Sequence, residues 1–261
     1  MVVLRSARRL GFVLRRHKQD IPPNWFPPQL EVVTSGDKVA RCAGADLCQE
    51  LAGDMDTSYL HTYQGNPPSR LIARSHNLSL IADLSPLTVG HLLLVSNRHY
   101  YSFSQIIRDH EHEVARFRAA IYTNYSATFG PPLIFEHGST AEMDGSACIT
   151  HAHWHFLPID ADSVDRIMTR DGLHGVHLSD MTRLADSAFS SAPYYYRSDD
   201  SDHMVYKAVH AMPRQYLRSV AAEVLGIPAP EWDWAVVVRK DAHRETMART
   251  RSWRFENPAP T

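Results

Sequence analysis

Thr150-His151-Ala152-His153-Trp154-His155-Phe156-Leu157 alternates imidazole with small or aromatic side chains. In an extended strand, successive side chains point to opposite faces, so His151, His153 and His155 share one face while Ala152, Trp154 and Phe156 share the other. Same-face neighbours on a strand lie about 6.7 Å apart, which spreads the outer two histidines over about 13 Å. Two of them can converge on one ion, but all three cannot, so at least one imidazole has another use. Three uses compete: a buried structural cluster, a metal site that recruits outside ligands to His151 or His155, and a phosphate site in which one imidazole attacks.

Working outward, Leu71 to Arg74 and Asn77 to Asp83 are short apolar runs separated by Ser75-His76, and Gly90 precedes a third run, Leu92 to Val95. These predict adjacent antiparallel strands. From Phe103, positions Ile107, His110, Val114, Phe117, Ile121 and Tyr125 recur at spacings of three and four, and Gly130-Pro131-Pro132 ends the pattern. That stripe predicts one long helix. Leu133 to Glu136 and Ala147 to Leu157 then read as strands around a loop at 138–146. The last hundred residues are less regular, apart from a helical face on Tyr216, Leu217, Val220, Ala221, Val224 and Leu225, closed by Gly226 with Pro228 beyond.

The chain has 261 residues, 44% of them hydrophobic and 21% charged, which is the composition of a folded protein. Lys plus Arg is 27 against 29 for Asp plus Glu, so no global field draws a long nucleic acid, and a single nucleotide is the expected scale of ligand. Sixteen histidines are the compositional outlier. Three cysteines, Cys42, Cys48 and Cys148, cannot pair completely, no secretory leader is legible, and no apolar run approaches the ~20 residues that cross a bilayer. A cytoplasmic protein without membrane partners is expected. Residues 1–19 hold six basic residues and no acid, read as a surface arm or as an organelle-targeting peptide, and the prolines at 22, 23, 27 and 28 mark a boundary near residue 28.

Asp83-Leu-Ser-Pro86-Leu-Thr-Val-Gly90-His91-Leu-Leu-Leu-Val95-Ser-Asn-Arg-His99, a helix, a strand ending Phe135-Glu136-His137-Gly138 and the triad strand follow one another in an order and spacing that resemble the histidine triad family of nucleotide hydrolases and transferases. The resemblance covers residues from about 40 to 160. It implies an α+β fold with an antiparallel sheet and a long helix, a homodimer, and a division into a basic arm (1–28), a catalytic core (29–165) and a mixed C-terminal extension (166–261) packing on the core. It also implies that His153 attacks the α-phosphorus of a nucleotide conjugate to form a nucleotidyl-histidine. An imidazole with an ordinary pKa of about 6.5 is largely neutral and nucleophilic at pH 7. His155 and His91 match the phosphate-contacting positions, and His151 matches the position that orients the nucleophile or binds metal. His155 stands where uridylyltransferase members carry Gln, which favours the hydrolase branch. Asp83 matches the ribose-binding position, with Leu80 and Ile81 in the region of the base-binding wall.

The departures from that pattern matter as much. Relatives with Cys-x-x-Cys complete a structural zinc site with the positions of His99 and His151, whereas here Cys48 has Ala45 in place of the first cysteine and Cys42 only at a longer spacing. The chemistry itself requires no cofactor, and structural zinc on Cys48, His99 and His151, with Cys42 as a weaker fourth ligand, is the metal expectation. Glu136 stands where phosphoramidase-type members have Asn, and a carboxylate there implies a substrate amine or an imidazolium facing it. Ser139 and His137 are in the loop region that reaches toward a leaving group. A catalytically weak nucleotide-binding protein and a metal-dependent hydrolase using the histidine cluster are the alternative functions.

Overall fold

The central strand segments are buried on both sides in the computed structural model, which describes residues 46–140, 149–186, 189, 192–207 and 212–255. The basic arm, Cys42 and Cys148 lie outside the described residues. Two short helices, α1 (Leu47–Leu51) and α2 (Ser58–Tyr63), precede β1 (Leu71–Arg74), β2 (Leu78–Ala82) and β3 (Leu92–Ser96). The long helix α3 (Phe103–Phe129), β4 (Leu133–Gly138), β5 (His153–Leu157) and α4 (Ala161–Arg170) follow. Then come β6 (His174–Leu178), β7 (Tyr194–Ser198), β8 (His203–Lys207), α5 (Tyr216–Val224) and α6 (Lys240–Thr250). No described helix is long and apolar enough to cross a membrane.

All described pairings are antiparallel, in the order β1-β2-β3-β5-β4-β7-β8-β6. The expected α+β class with an antiparallel sheet and a long helix is what forms. Leu80, Leu94, Trp154, Phe156, Ile134 and Tyr196 belong to the face packed against the α3 residues Phe103, Ile107, Val114, Ile121 and Tyr125. The opposite face carries Phe135, Tyr195 and Tyr206 against Val164 and Met168 of α4 and Leu217, Val220 and Ala221 of α5. Helix α3 holds its expected limits, with a break in helical geometry at His110 (φ −142°, ψ 36°) and Gly130 beyond its end at φ +95°.

Two expectations change here. The triad strand begins at His153, so His151 precedes it, bonded through its backbone and ring to neighbouring elements. The C-terminal segment, expected to be irregular and to pack on the core, extends the sheet itself: β7 pairs with β4 along Ile134↔Ser198 through Gly138↔Tyr194, and β8 and β6 follow. The cut at 165 also falls inside α4. Sequence gave little warning, because β6 is an exposed edge strand and β7 is the Tyr194-Tyr195-Tyr196 run, whose two faces are both aromatic and lack a polar–apolar alternation.

Candidate active site

The side of the sheet away from α3 carries the imidazoles because strand parity puts them there. Across β3, β5 and β4 the register pairs Leu93 with His155 and His155 with Phe135, and it pairs Val95 with His153. His91 precedes β3 on the same parity, after Gly90 turns the chain at φ +91°. That turn is held by the Gly90 N–H donating to Thr246 Oγ1 (2.9 Å) and the Tyr125 hydroxyl donating to the Gly90 carbonyl (2.7 Å).

Hydrogen bonds select the tautomer of each ring. The His151 carbonyl can only accept, so His153 Nδ1, 2.7 Å away, carries the proton, and Nε2 presents a lone pair. The Leu87 N–H donates to His91 Nδ1 (3.2 Å), which leaves the His91 proton on Nε2. His91 Nε2 then donates to His155 Nδ1 at 2.9 Å, so in the neutral ring His155 keeps its own N–H on Nε2. One ring offers an electron pair, and the next offers a donor backed by a second imidazole. Burial pushes all three pKa values down, His91 to about 4 and His155 well below its ordinary value, so the rings are neutral at pH 7.

Asp83, buried beside this group, takes the Ser85 N–H on Oδ1 (2.8 Å), the contact of a turn residue. It also faces Arg218 Nη1 of α5 at 3.3 and 3.4 Å. Burial opposes its ionisation, but His91 and Arg218 outweigh that and hold the carboxyl well below the usual range. Arg218 is pinned further by the carbonyls of Ser85 (2.8 Å) and Trp232 (3.2 Å). A cavity opens over His153, His155 and Asp83, with Leu47, Leu93 and Ile149 as an apolar wall and Arg218, Gln215 and Trp234 contributed by the C-terminal segment. In the C-terminal segment, Gln215 and Arg218 reach the cavity, while His174 and His177 lie on the exposed edge strand and Arg214 is exposed. Arg70, buried and paired with Glu50 through two bonds of 2.8 and 2.6 Å, is a cavity residue that sequence reasoning missed, as is Trp234.

Three expected nucleotide contacts are displaced. Glu136 has the parity of Ile134 and points to the α3 side, where it accepts from Phe103 N–H (2.7 Å), Trp154 Nε1 (3.0 Å) and the Tyr194 hydroxyl (2.8 Å). It is a buried bracket between strand and helix, opposite the cavity, with its pKa pushed up to about 7 by burial. Leu80 also faces α3, whereas Ile81 lies behind Leu93 and Leu47 on the cavity side. Ser139 is buried, donates its N–H to the Tyr101 carbonyl and does not line the cavity.

Cys48, His99 and His151 converge at a separate point, their donor atoms all within 4.8 Å of one another. Cys48 Sγ is 3.4 Å from Nδ1 of both histidines. Zinc bonds of about 2.3 Å to sulfur and about 2.0 Å to nitrogen at a tetrahedral angle set that edge at about 3.5 Å, so three donors fit a zinc ion. His151 Nε2 donates to the Ser96 carbonyl at 2.7 Å, which turns the Nδ1 lone pair toward the cluster, the usual support of a metal-binding imidazole. A fourth ligand is not among the described donors of this cluster. Asp83, His91 and His155 also lie close together, but the N–H on His91 Nε2 occupies the point where a cation would sit.

Residues 66–170 match a family model described as "Protein similar to CwfJ C-terminal". No curated protein matches the sequence. Solved structures similar to the chain include a hypothetical histidine triad nucleotide-binding protein from Sulfolobus tokodaii, at 18% identity and TM-score 0.29, over 39% of this chain and 67% of that one. A Hit-like protein involved in cell-cycle regulation from Bartonella henselae aligns at 16% identity and TM-score 0.29, over 40% and 81%. A zinc-bound histidine triad family protein from Mycobacterium smegmatis aligns at 18% identity and TM-score 0.32, over 45% and 76%. Through the match at residues 66–170, a HIT-like segment, and the His151–His155 stretch inside it, this chain is similar to the histidine triad proteins.

Proposed function

We propose that the protein transfers or hydrolyses the nucleotidyl group of a nucleotide conjugate through a covalent intermediate on His153. The observation that carries this reading is the tautomer pattern: a lone pair on His153 Nε2 beside a His155 donor backed by His91. His153 Nε2 forms a bond to the α-phosphorus while the bond to the leaving group breaks, and the electron pair stays with that group. A bound phosphate favours one proton on the His91–His155 pair, which hands it to the leaving group. In the second half, water attacks phosphorus, its proton returns to the pair, and His153 departs with its electron pair. Most of the barrier lowering in phosphoryl transfer is positioning and charge stabilisation, which suits a rigid cluster on adjacent strands.

Leu47, Leu93 and Ile149 supply an apolar wall for a base, and Asp83 retains acceptor capacity for ribose hydroxyls beside Arg218. The Cys48, His99 and His151 cluster would hold a structural zinc that braces α1 against the segment before β5, with no part in the transfer. Intact-mass measurement after mixing with a panel of nucleotidylated compounds tests the reading. A nucleotide-sized gain, labile in mild acid and lost in His153→Ala, is expected; turnover by a folded His153→Ala protein would end it.

A further inference from the structure

His137 is a cavity imidazole that the mechanism above does not use. It has the parity of Phe135, which pairs with His155 across β4 and β5, so His137 rises on the imidazole side of the sheet. The His137 ring rests against Tyr195, with centroids 4.6 Å apart, and lines the cavity with His153 and His155.

Its hydrogen bonding sets it apart. His153, His155 and His91 each engage a protein group through a ring nitrogen, whereas neither nitrogen of His137 bonds to a described residue. His137 is half-buried among the residues that line the cavity, where a partner can arrive. Burial and His153 push its pKa down to about 4, so it enters the cavity as a neutral ring with one N–H. The side chain has the length of His153 and rises from the neighbouring strand. From that wall of the cavity the ring can meet a phosphoryl group bonded to His153 from the β4 side.

Resting on the proposed nucleotidyl transfer, we infer that His137 is a further catalytic residue whose ring N–H donates to a non-bridging phosphoryl oxygen from the β4 side. The His137 proton stays on its nitrogen throughout, and no bond to His137 forms or breaks. Its part is to stabilise charge that grows on the oxygen as the phosphoryl group passes to and from His153. Removing one such donor from an acyl-transfer site costs about 10²–10³ in turnover, which sets the scale expected here.

The test is steady-state turnover of a nucleoside 5′-phosphoramidate panel by the full chain and three variants. His137→Phe keeps the ring against Tyr195 and removes both nitrogens; kcat should fall about 100-fold with an unchanged melting temperature. His137→Gln restores an N–H and should recover about tenfold of that loss, while His137→Ala should not. Wild-type turnover with His137→Phe within about threefold of it overturns the assignment and leaves the His153 reading standing. Should the Phe variant fail to fold, equal rates for the Gln and Ala variants overturn it instead. Wild-type protein that neither turns over nor acquires a nucleotide from any panel member overturns the His153 reading, and His137 falls with it.

Discussion

At the scale of single residues, what each polar side chain can do depends on whether its partner gives or takes a proton. Glu136 shows the rule away from the cavity: three donors converge on one carboxylate, and an amide cannot accept from all of them. Glu136→Gln should therefore lower stability by about 1–3 kcal/mol in chemical denaturation while leaving kcat/KM unchanged. A change in kcat/KM without a stability loss would return Glu136 to the substrate. The same reasoning applies to Cys48, whose sulfur lies 3.4 Å from Nδ1 of both His99 and His151. Protein purified with zinc present should carry about one ion per chain, and Cys48→Ala should lose most of it by elemental analysis. Equal metal content in both proteins would remove Cys48 from the ligand set. The residue types of both clusters were legible in sequence, but their directions were not: Leu80 and Glu136 were one residue from the cavity parity and fell on the wrong face.

At the scale of elements, the cavity depends on turns that bring chain-distant groups beside β3 and β5. Gly90 is the clearest, because its positive φ is one that other residues rarely adopt and because a Cβ there would sit 2.9 Å from Phe129 Cγ and 3.1 Å from the Tyr125 hydroxyl. Gly90→Ala should cost about 2 kcal/mol or more in denaturant unfolding and should displace His91 enough to depress activity further than stability alone accounts for. Wild-type stability in that variant would contradict the close packing of α3 under the turn. Helix α6 reinforces the same place from the far end of the chain, since His243 Nδ1 lies 2.8 Å from the Asp83 carbonyl and its ring packs on Tyr63 at 4.3 Å. The helical stripes and glycine stops announced α3 and α5; the partners of α6 were invisible, because a buried histidine on a polar helix looks like any exposed one.

For the molecule as a whole, the concentration of buried neutral imidazoles has a thermodynamic consequence. His91, His137 and His243 titrate near 4 in the folded chain, against about 6.5 when exposed, and His153 and His155 are shifted in the same direction. Between those values the unfolded chain binds protons that the folded chain refuses, so stability must fall as pH drops from about 6.5 to about 4. Glu136 acts with the opposite sign, because its raised pKa makes the folded chain bind a proton that the unfolded chain has released between 4.5 and about 7. Five imidazoles against one carboxyl leave a net loss on acidification. Denaturation midpoints followed across this range should decline steadily; a flat profile would show that the rings ionise freely in the folded protein.

The stretch from His153 to Leu157 determined by itself that His153 and His155 lie toward one side, because side-chain alternation is a local property of extended backbone. The same local rules placed β1 to β5 and the limits of α3, and the family resemblance followed from those positions. Tertiary structure alone decided what surrounds the imidazoles. Arg218 reaches Asp83 across 135 residues, and β7 joins β4 although its own sequence carries no alternating signal. His137 shares a cavity with His153 only because β4 folds beside β5. Such contacts are set by how packed surfaces fit, and that depends on every element at once rather than on the few residues that a local pattern can read.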